Sequence, residues 1–194
     1  MRIIAGKWKG RKLSSWKTKI PIRPMTDRVK ETVFNVLKPY LFEDCKVLDL
    51  FSGTGSLALE ALSRGAGIAH AVENHFSCVK IIQKNITIML KEKKLWIHKK
   101  NVFSFLQQYQ KRTLLDKKSL EPLIFDLVLA DPPFSLKAGD FIMRLLSNSY
   151  LTHDETVIVI ETGKKEVLKN NYSPFYLFSK KDFDDKKAWF YKRD

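Results

Sequence analysis

The sequence predicts a doubly wound α/β fold, a mostly parallel sheet with helices on both faces. Three observations carry this expectation. Short apolar runs such as Lys46–Leu50, Phe125–Ala130 and Val157–Glu161 alternate with segments whose apolar residues recur every three or four positions. Glycines and prolines punctuate the junctions between them. The chain of 194 residues, 44% hydrophobic, has the size and apolar content of one globular domain. Strands alternating with helices in this way imply βαβ crossovers and hence parallel pairing.

Taken in order, Asp27 can cap a helix whose apolar positions are Val29, Val33, Val36 and Leu37, and Pro39 ends it. Lys46–Leu50 reads as a buried strand. A glycine-containing turn follows, then a helix through Leu57, Ala61 and Leu62 that Gly65 terminates. Ile68–Val72 is a second strand, and Ser77–Leu90 a second amphipathic helix with Val79, Ile82, Ile86 and Met89 on one face. Leu95–His98 is a third strand, followed by a helix carrying Phe105, Leu106 and Tyr109. Phe125–Ala130 is a fourth strand, Asp140–Leu146 a helix and Val157–Glu161 a fifth strand. Tyr176–Ser179 and Ala188–Tyr191 form a closing hairpin, making seven strands in all. Residues 111–121, rich in lysine and serine, read as a surface loop.

Charge is unevenly spread. The chain carries 35 Lys and Arg against 21 Asp and Glu, a net charge of +14, which favours a polyanionic partner such as nucleic acid. A genome rich in A+T would also inflate lysine, so charge alone does not settle the partner. Residues 1–26 hold eight basic residues and no acidic one, and form a basic arm before a domain spanning 27–194. Gly6 and Gly10 punctuate that arm, so a short β-hairpin is expected there, with Trp8 and Trp16 either packing it onto the body or stacking on bases. The two cysteines have no Cys-x-x-Cys spacing, and no secretory signature opens the chain, so a reducing cytoplasm is the expected compartment. The four scattered histidines give no metal-ligand spacing, and no apolar run approaches the roughly 20 residues of a membrane span.

In a doubly wound sheet, ligands bind beyond the carboxyl ends of the strands. After the first strand stands Asp49-Leu50-Phe51-Ser52-Gly53-Thr54-Gly55, whose glycines permit a tight turn at a helix N-terminus. Glu73 ends the second strand, where a carboxylate can accept both ribose hydroxyls of a nucleoside-bearing cofactor. A dinucleotide and S-adenosylmethionine (SAM) both satisfy that pair. Asp49 favours SAM, whose ammonium and sulfonium attract a carboxylate, whereas a pyrophosphate would be repelled. The fourth strand ends in Ala130-Asp131-Pro132-Pro133-Phe134. Its prolines fix the backbone, the Asp131 carboxylate and the Pro132 carbonyl can each accept a hydrogen from an exocyclic amine, and Phe134 offers a face for a base.

With these motifs the chain resembles the SAM-dependent methyltransferases that modify exocyclic amines through an Asn/Asp/Ser-Pro-Pro-aromatic motif. More narrowly it resembles the RsmD family of bacterial 16S rRNA guanine-N2 methyltransferases. The specific segments are Arg2–Leu13 and Arg23–Asn35, supported by Asp49–Gly55, Leu59–Ala66 and Asp131–Phe134. The resemblance implies a Rossmann-like class I methyltransferase, with SAM as cofactor and 16S rRNA or the small ribosomal subunit as partner, acting as a monomer without metal. It implies a cofactor pocket of Asp49, Phe51, Ser52, Gly53, Thr54, Gly55, Glu73, Asn101 and Val102, approached by Thr26 and Arg28. Asn101 stands where that family usually has aspartate, although its side-chain oxygen can still accept the adenine amine. Asp131, Pro132, Pro133 and Phe134 would hold the guanine, and Arg2, Lys7, Lys9, Arg11, Lys12 and Arg23 would clamp phosphates. The segment Lys180–Lys187 lacks the glycine expected before the last strand, which leaves the hairpin turn open. Rival readings are an adenine-N6 DNA methyltransferase, an NAD-dependent oxidoreductase and a catalytically silent RNA-binding module.

Overall fold

The computed structural model describes residues 1–15, 25–89, 92, 94–110 and 123–193. Five helices are labelled here in chain order: α1 Asp27–Val36, α2 Ser56–Ser63, α3 Phe76–Met89, α4 Val102–Gln108 and α5 Gly139–Ser147. The strands are β1 Lys46–Leu50, β2 Ile68–Glu73, β3 Leu95–Lys99, β4 Phe125–Ala130, β5 Thr152–Gly163, β6 Asn171–Tyr172, β7 Phe175–Asp182 and β8 Lys186–Arg193.

They make one sheet in the order β3-β2-β1-β4-β5-β8-β7-β6. β1 to β5 pair in parallel, and β8, β7 and β6 add antiparallel strands at one side. The sequence leads to seven strands, whereas the described residues form eight. The additional strand, Asn171–Tyr172, is too short to show an alternating pattern.

Period-2 alternation divides the core between the two faces. Val47, Ala69, Ala71, Leu127, Leu129, Val157, Val159, Ala188 and Phe190 turn to one face, where α1, α2 and α3 cover them. Leu48, Leu50, Val72, Val128, Ala130, Ile158 and Ile160 turn to the other, beneath α4 and α5. Ile3 and Leu13 of the arm are buried in the first of these clusters, and Trp8 packs against it.

Several boundaries differ from expectation for local reasons. α1 is capped by Thr26, whose Oγ1 accepts the Val29 amide at 3.4 Å, while Asp27 lies in the first turn and pairs with Arg2 at 2.9 Å. The arm closes on a single antiparallel bridge, Arg2 to Lys12, around turns at Gly6 and Gly10 with φ of 82° and 80°. β5 begins five residues before the expected Val157, because its early polar residues hide the strand from an apolar pattern. The turn from β7 to β8 closes without glycine, the Phe183 amide donating to the Lys186 carbonyl at 2.9 Å. Trp16, Arg23 and the expected loop at 111–121 lie outside the described residues.

Candidate active site

The alternation that builds the first core face also builds the site. On β2, Ala69 and Ala71 precede Glu73; on β1, Val47 precedes Asp49; on β4, Leu127 and Leu129 precede Asp131; on β5, Val157 and Val159 precede Glu161. Each strand therefore changes from apolar to acidic on the same face as it reaches its carboxyl end. The antiparallel β8 supplies the complement, since Lys186 lies two residues before Ala188 on that face. The result is a row of four carboxylates and one ammonium across the point where the strand order reverses, between β1 and β4.

Asp49 is fully buried. Its Oδ2 accepts the Ser52 hydroxyl at 2.6 Å and the Ala58 amide at 3.1 Å, while its Oδ1 has no partner among the described residues. Burial, with a smaller push from Glu73, raises this carboxyl to about 7 against the pull of those two hydrogen bonds. Glu73 spans the turn. Its Oε2 accepts the Gly53 amide and its Oε1 the His75 amide, both at 2.8 Å, leaving each oxygen a further lone pair.

Phe51, Gly53 and Gly55 all have positive φ, at 58°, 56° and 76°. A Cβ on Gly55 would also lie 3.2 Å from Ile82, so both the turn and the close packing of α3 need glycine there. Thr54 is buried, and its carbonyl accepts the Asn85 amide group at 3.0 Å. The Gly53 amide is engaged by Glu73 and the Gly55 amide by the Ser52 carbonyl at 2.8 Å. A turn whose glycine amides are satisfied internally, beside an unpaired carboxylate oxygen, is built for a cation and not for a pyrophosphate.

Asp131, half-buried, follows Ala130, and continuing the β4–β5 register by one residue places it beside Glu161. Pro132 is buried, and no group among the described residues donates to its carbonyl. Phe134 opens a 3-10 turn, Phe134–Leu136. Its ring lies against Gly163, where a Cβ would come within 3.3 Å, and the Lys186 ammonium sits 5.4 Å from its centroid. Glu161 and Lys186 form a buried ion pair that motif spacing does not reveal. Their sequence signal is a charged residue continuing an apolar i, i+2 face on each of two strands.

Other expected site residues are placed as follows. Asn101 caps α4, its Oδ1 accepting the Phe103 and Ser104 amides at 2.9 and 3.3 Å, so that oxygen is already occupied. Val102, the first residue of α4, is buried, and the Phe51 ring meets Phe103 at 5.9 Å. Thr26 and Arg28 are exposed on α1, and among the described residues neither bonds to the turn after β1. Arg2, Lys7, Lys9, Arg11 and Lys12 are all exposed. The arm they belong to is pinned by Glu60, which accepts the Ile4 and Ala5 amides at 2.8 and 3.0 Å and pairs with the buried Lys30 at 3.3 Å. Cys78 lies near Glu73, but burial and then the Glu73 charge push its thiol up to about 12, which removes it as a nucleophile.

A sheet wound in this order, with an acidic residue and a glycine turn after β1, an acid closing β2 and Asp-Pro-Pro-Phe closing β4, defines a Rossmann-like methyltransferase fold. Comparison with known proteins agrees. The family model described as Conserved hypothetical protein 95 matches residues 1–192, and the chain belongs to that family. It is 34% identical over 169 residues to Ribosomal RNA small subunit methyltransferase D of Haemophilus influenzae, covering 87% of this chain and 81% of that protein. It is 35% identical over 166 residues to the protein of the same name from Escherichia coli K12, covering 84% and 74%. Among solved structures, Escherichia coli yhhF superposes with a TM-score of 0.80 at 31% identity, covering 100% of this chain and 98% of that one.

Proposed function

We propose that this chain transfers a methyl group from SAM to the exocyclic N2 of a guanine in 16S rRNA. The observation that carries the reading is the adjacency of two features on one sheet face: the unpaired Oδ1 of buried Asp49, suited to a cation, and the acceptors Asp131 and Pro132 at the end of the neighbouring strand. The relatives named above as small-subunit rRNA methyltransferases support the RNA substrate, and the resemblance noted in the sequence supports guanine N2.

Asp49 would hold the cofactor's ammonium, Glu73 its ribose hydroxyls, and the Phe51–Gly55 turn its remaining contacts, with Val102 under the base. Bound there, SAM supplies an electrophilic methyl carbon, and the pair of the broken C–S bond stays on the resulting thioether. Asp131 and Pro132 accept the two amine hydrogens, which draws the nitrogen lone pair out of ring conjugation and orients it. The amine must lose one proton once it is methylated, and Asp131 is the nearest acceptor on this reading. Phe134 provides a stacking face, so the base must be presented from a loop or flipped out of a helix. The exposed basic residues of the arm, with Arg23, grip phosphates.

The test uses tritium-labelled SAM with small ribosomal subunits from cells lacking the protein, and separately with duplex DNA. Label in 16S rRNA, recovered as N2-methylguanosine by mass spectrometry of the digest, is expected. Label on adenine N6 of DNA instead would establish the rival enzyme, and no transfer to either would leave an RNA-binding module.

A further inference from the structure

Three acidic side chains on the site face have a role in the proposed reaction, and Glu161 has none. It is 1% exposed, in the middle of a sheet, on β5. Its Oε1 accepts from the Lys186 ammonium, itself 2% exposed. Its Oε2 has no partner among the described residues, and the parallel β4–β5 register, continued one residue past Ala130–Ile160, sets the Asp131 carboxyl beside it on the same face. Two carboxylates cannot bond face to face unless one proton lies between them. The Lys186 ammonium pairs with Glu161 and also rests over the Phe134 ring.

We propose that Glu161 is a positioning residue for methyl transfer: anchored by Lys186, it carries the one proton the facing carboxyls share and donates it to Asp131, which stays an anion aimed at the amine. The inference rests on the methyltransferase reading above and deepens it. Burial raises both carboxyls, and each is adjusted by its neighbours. On Glu161 the Asp131 charge adds to the rise and Lys186 opposes it; on Asp131 Lys186 and the Glu161 hydrogen bond oppose the rise, and Asp49 on β1 adds to it. These are the charged groups that face the pair, from β1, β4, β5 and β8.

The consequence is a rate with two limbs. A second proton on the pair, at lower pH, neutralises Asp131 and removes the acceptor. Loss of the shared proton, at higher pH, sets two anions against each other and turns Asp131 out of register.

Glutamine at position 161 reproduces the one-proton form, because its amide N–H donates to Asp131 and its carbonyl accepts from Lys186. The experiment measures single-turnover methyl transfer to small-subunit rRNA from pH 5.5 to 9.5 for the wild type, Glu161→Gln and Glu161→Leu. SAM affinity by calorimetry accompanies it, as does carbon-13 NMR of labelled Asp and Glu carboxyls. Glu161→Leu should lower the rate at neutral pH by at least 30-fold and Glu161→Gln should recover most of that loss. SAM affinity should stay within threefold in both. Glu161→Gln alone should lose the alkaline limb, and the neutral-carboxyl NMR signal at pH 7 that persists in Asp49→Asn, whose own carboxyl is raised to about 7 in the wild type, should vanish with it.

An unchanged alkaline limb in Glu161→Gln, or a Glu161→Leu rate equal to that of the wild type, overturns the proposal. If Glu161→Leu does not fold, the pH profile of Glu161→Gln decides. If the wild type moves no label to rRNA, the methyltransferase reading fails. The NMR titration then still decides whether the pair holds one proton, and two ionised carboxyls at pH 7 overturn the inference.

Discussion

Asp49→Asn tests the cofactor site through stability as well as binding. The side chain is fully buried with Oδ1 unpaired, and its carboxyl is raised from 3.8 to about 7. A carboxyl raised on folding costs nothing below its unfolded value and its full penalty above the folded one, so the cost grows between pH 4 and pH 7. A shift of about 3 units at 1.36 kcal/mol per unit makes that cost about 4 kcal/mol at pH 8. Asparagine stays neutral and can keep acceptance from Ser52 and Ala58, but brings an amide whose donors lack a partner, at about 1–3 kcal/mol.

The net expectation at pH 8 is a ligand-free variant more stable by about 1–3 kcal/mol, or about 3–10 °C in Tm for a chain of this size. At pH 4.5, where the wild-type carboxyl is already neutral, the gain should vanish. SAM affinity should fall about 10- to 100-fold, the worth of a charged hydrogen bond. Calorimetric melting at both pH values and titration with SAM measure all three. A Tm difference independent of pH, together with unchanged SAM affinity, would refute the assignment of a buried, cation-seeking carboxylate.

The remaining predictions follow from particular contacts. SAM affinity of the wild type should rise with pH through about 7, because the cation binds the ionised form of Asp49, and binding near pH 6.5 should release a proton visible as a buffer-dependent heat. Asp131→Ala should reduce turnover by about 100-fold or more while SAM affinity stays within about threefold; normal turnover would remove the acceptor mechanism. Deleting the arm would strip Ile3 and Leu13 from the core and uncover the Lys30–Glu60 pair, so neutralising Lys7, Lys9, Arg11 and Lys12 together is the cleaner change. RNA affinity should drop and its salt dependence flatten by about 3 units of slope, read by filter binding, and an unchanged slope would exclude phosphate contacts. A Cβ at Gly6 would stand 1.8 Å from the Ser63 carbonyl oxygen, so Gly6→Ala should release the arm and speed tryptic cleavage after Lys7 and Lys9, whose backbone is no longer held.

Much of this protein was legible before any coordinates. The alternation of short apolar runs with helical periods determined a parallel sheet, because a strand buried on both faces must be apolar throughout and must return through a helix. The glycines after β1, the acid closing β2 and the Asp-Pro-Pro-Phe segment were equally readable, since their chemistry is local: a positive φ, a lone carboxylate, a missing donor. Thr26 took the place of Asp27 as the cap of α1, since either residue can serve, and Asp27 in the first turn faces Arg2 of the arm instead. Asn101 kept its place but gave its oxygen to two helix amides, a competition that spacing does not show. What only the tertiary structure decided was which charges meet. Glu161 and Lys186 lie 25 residues apart and Asp131 lies 30 before Glu161, and nothing in their own segments marks them as partners. Parallel register set two acids side by side and antiparallel register brought the lysine behind them, because strand pairing fixes neighbours across the sheet while sequence fixes them only along the chain.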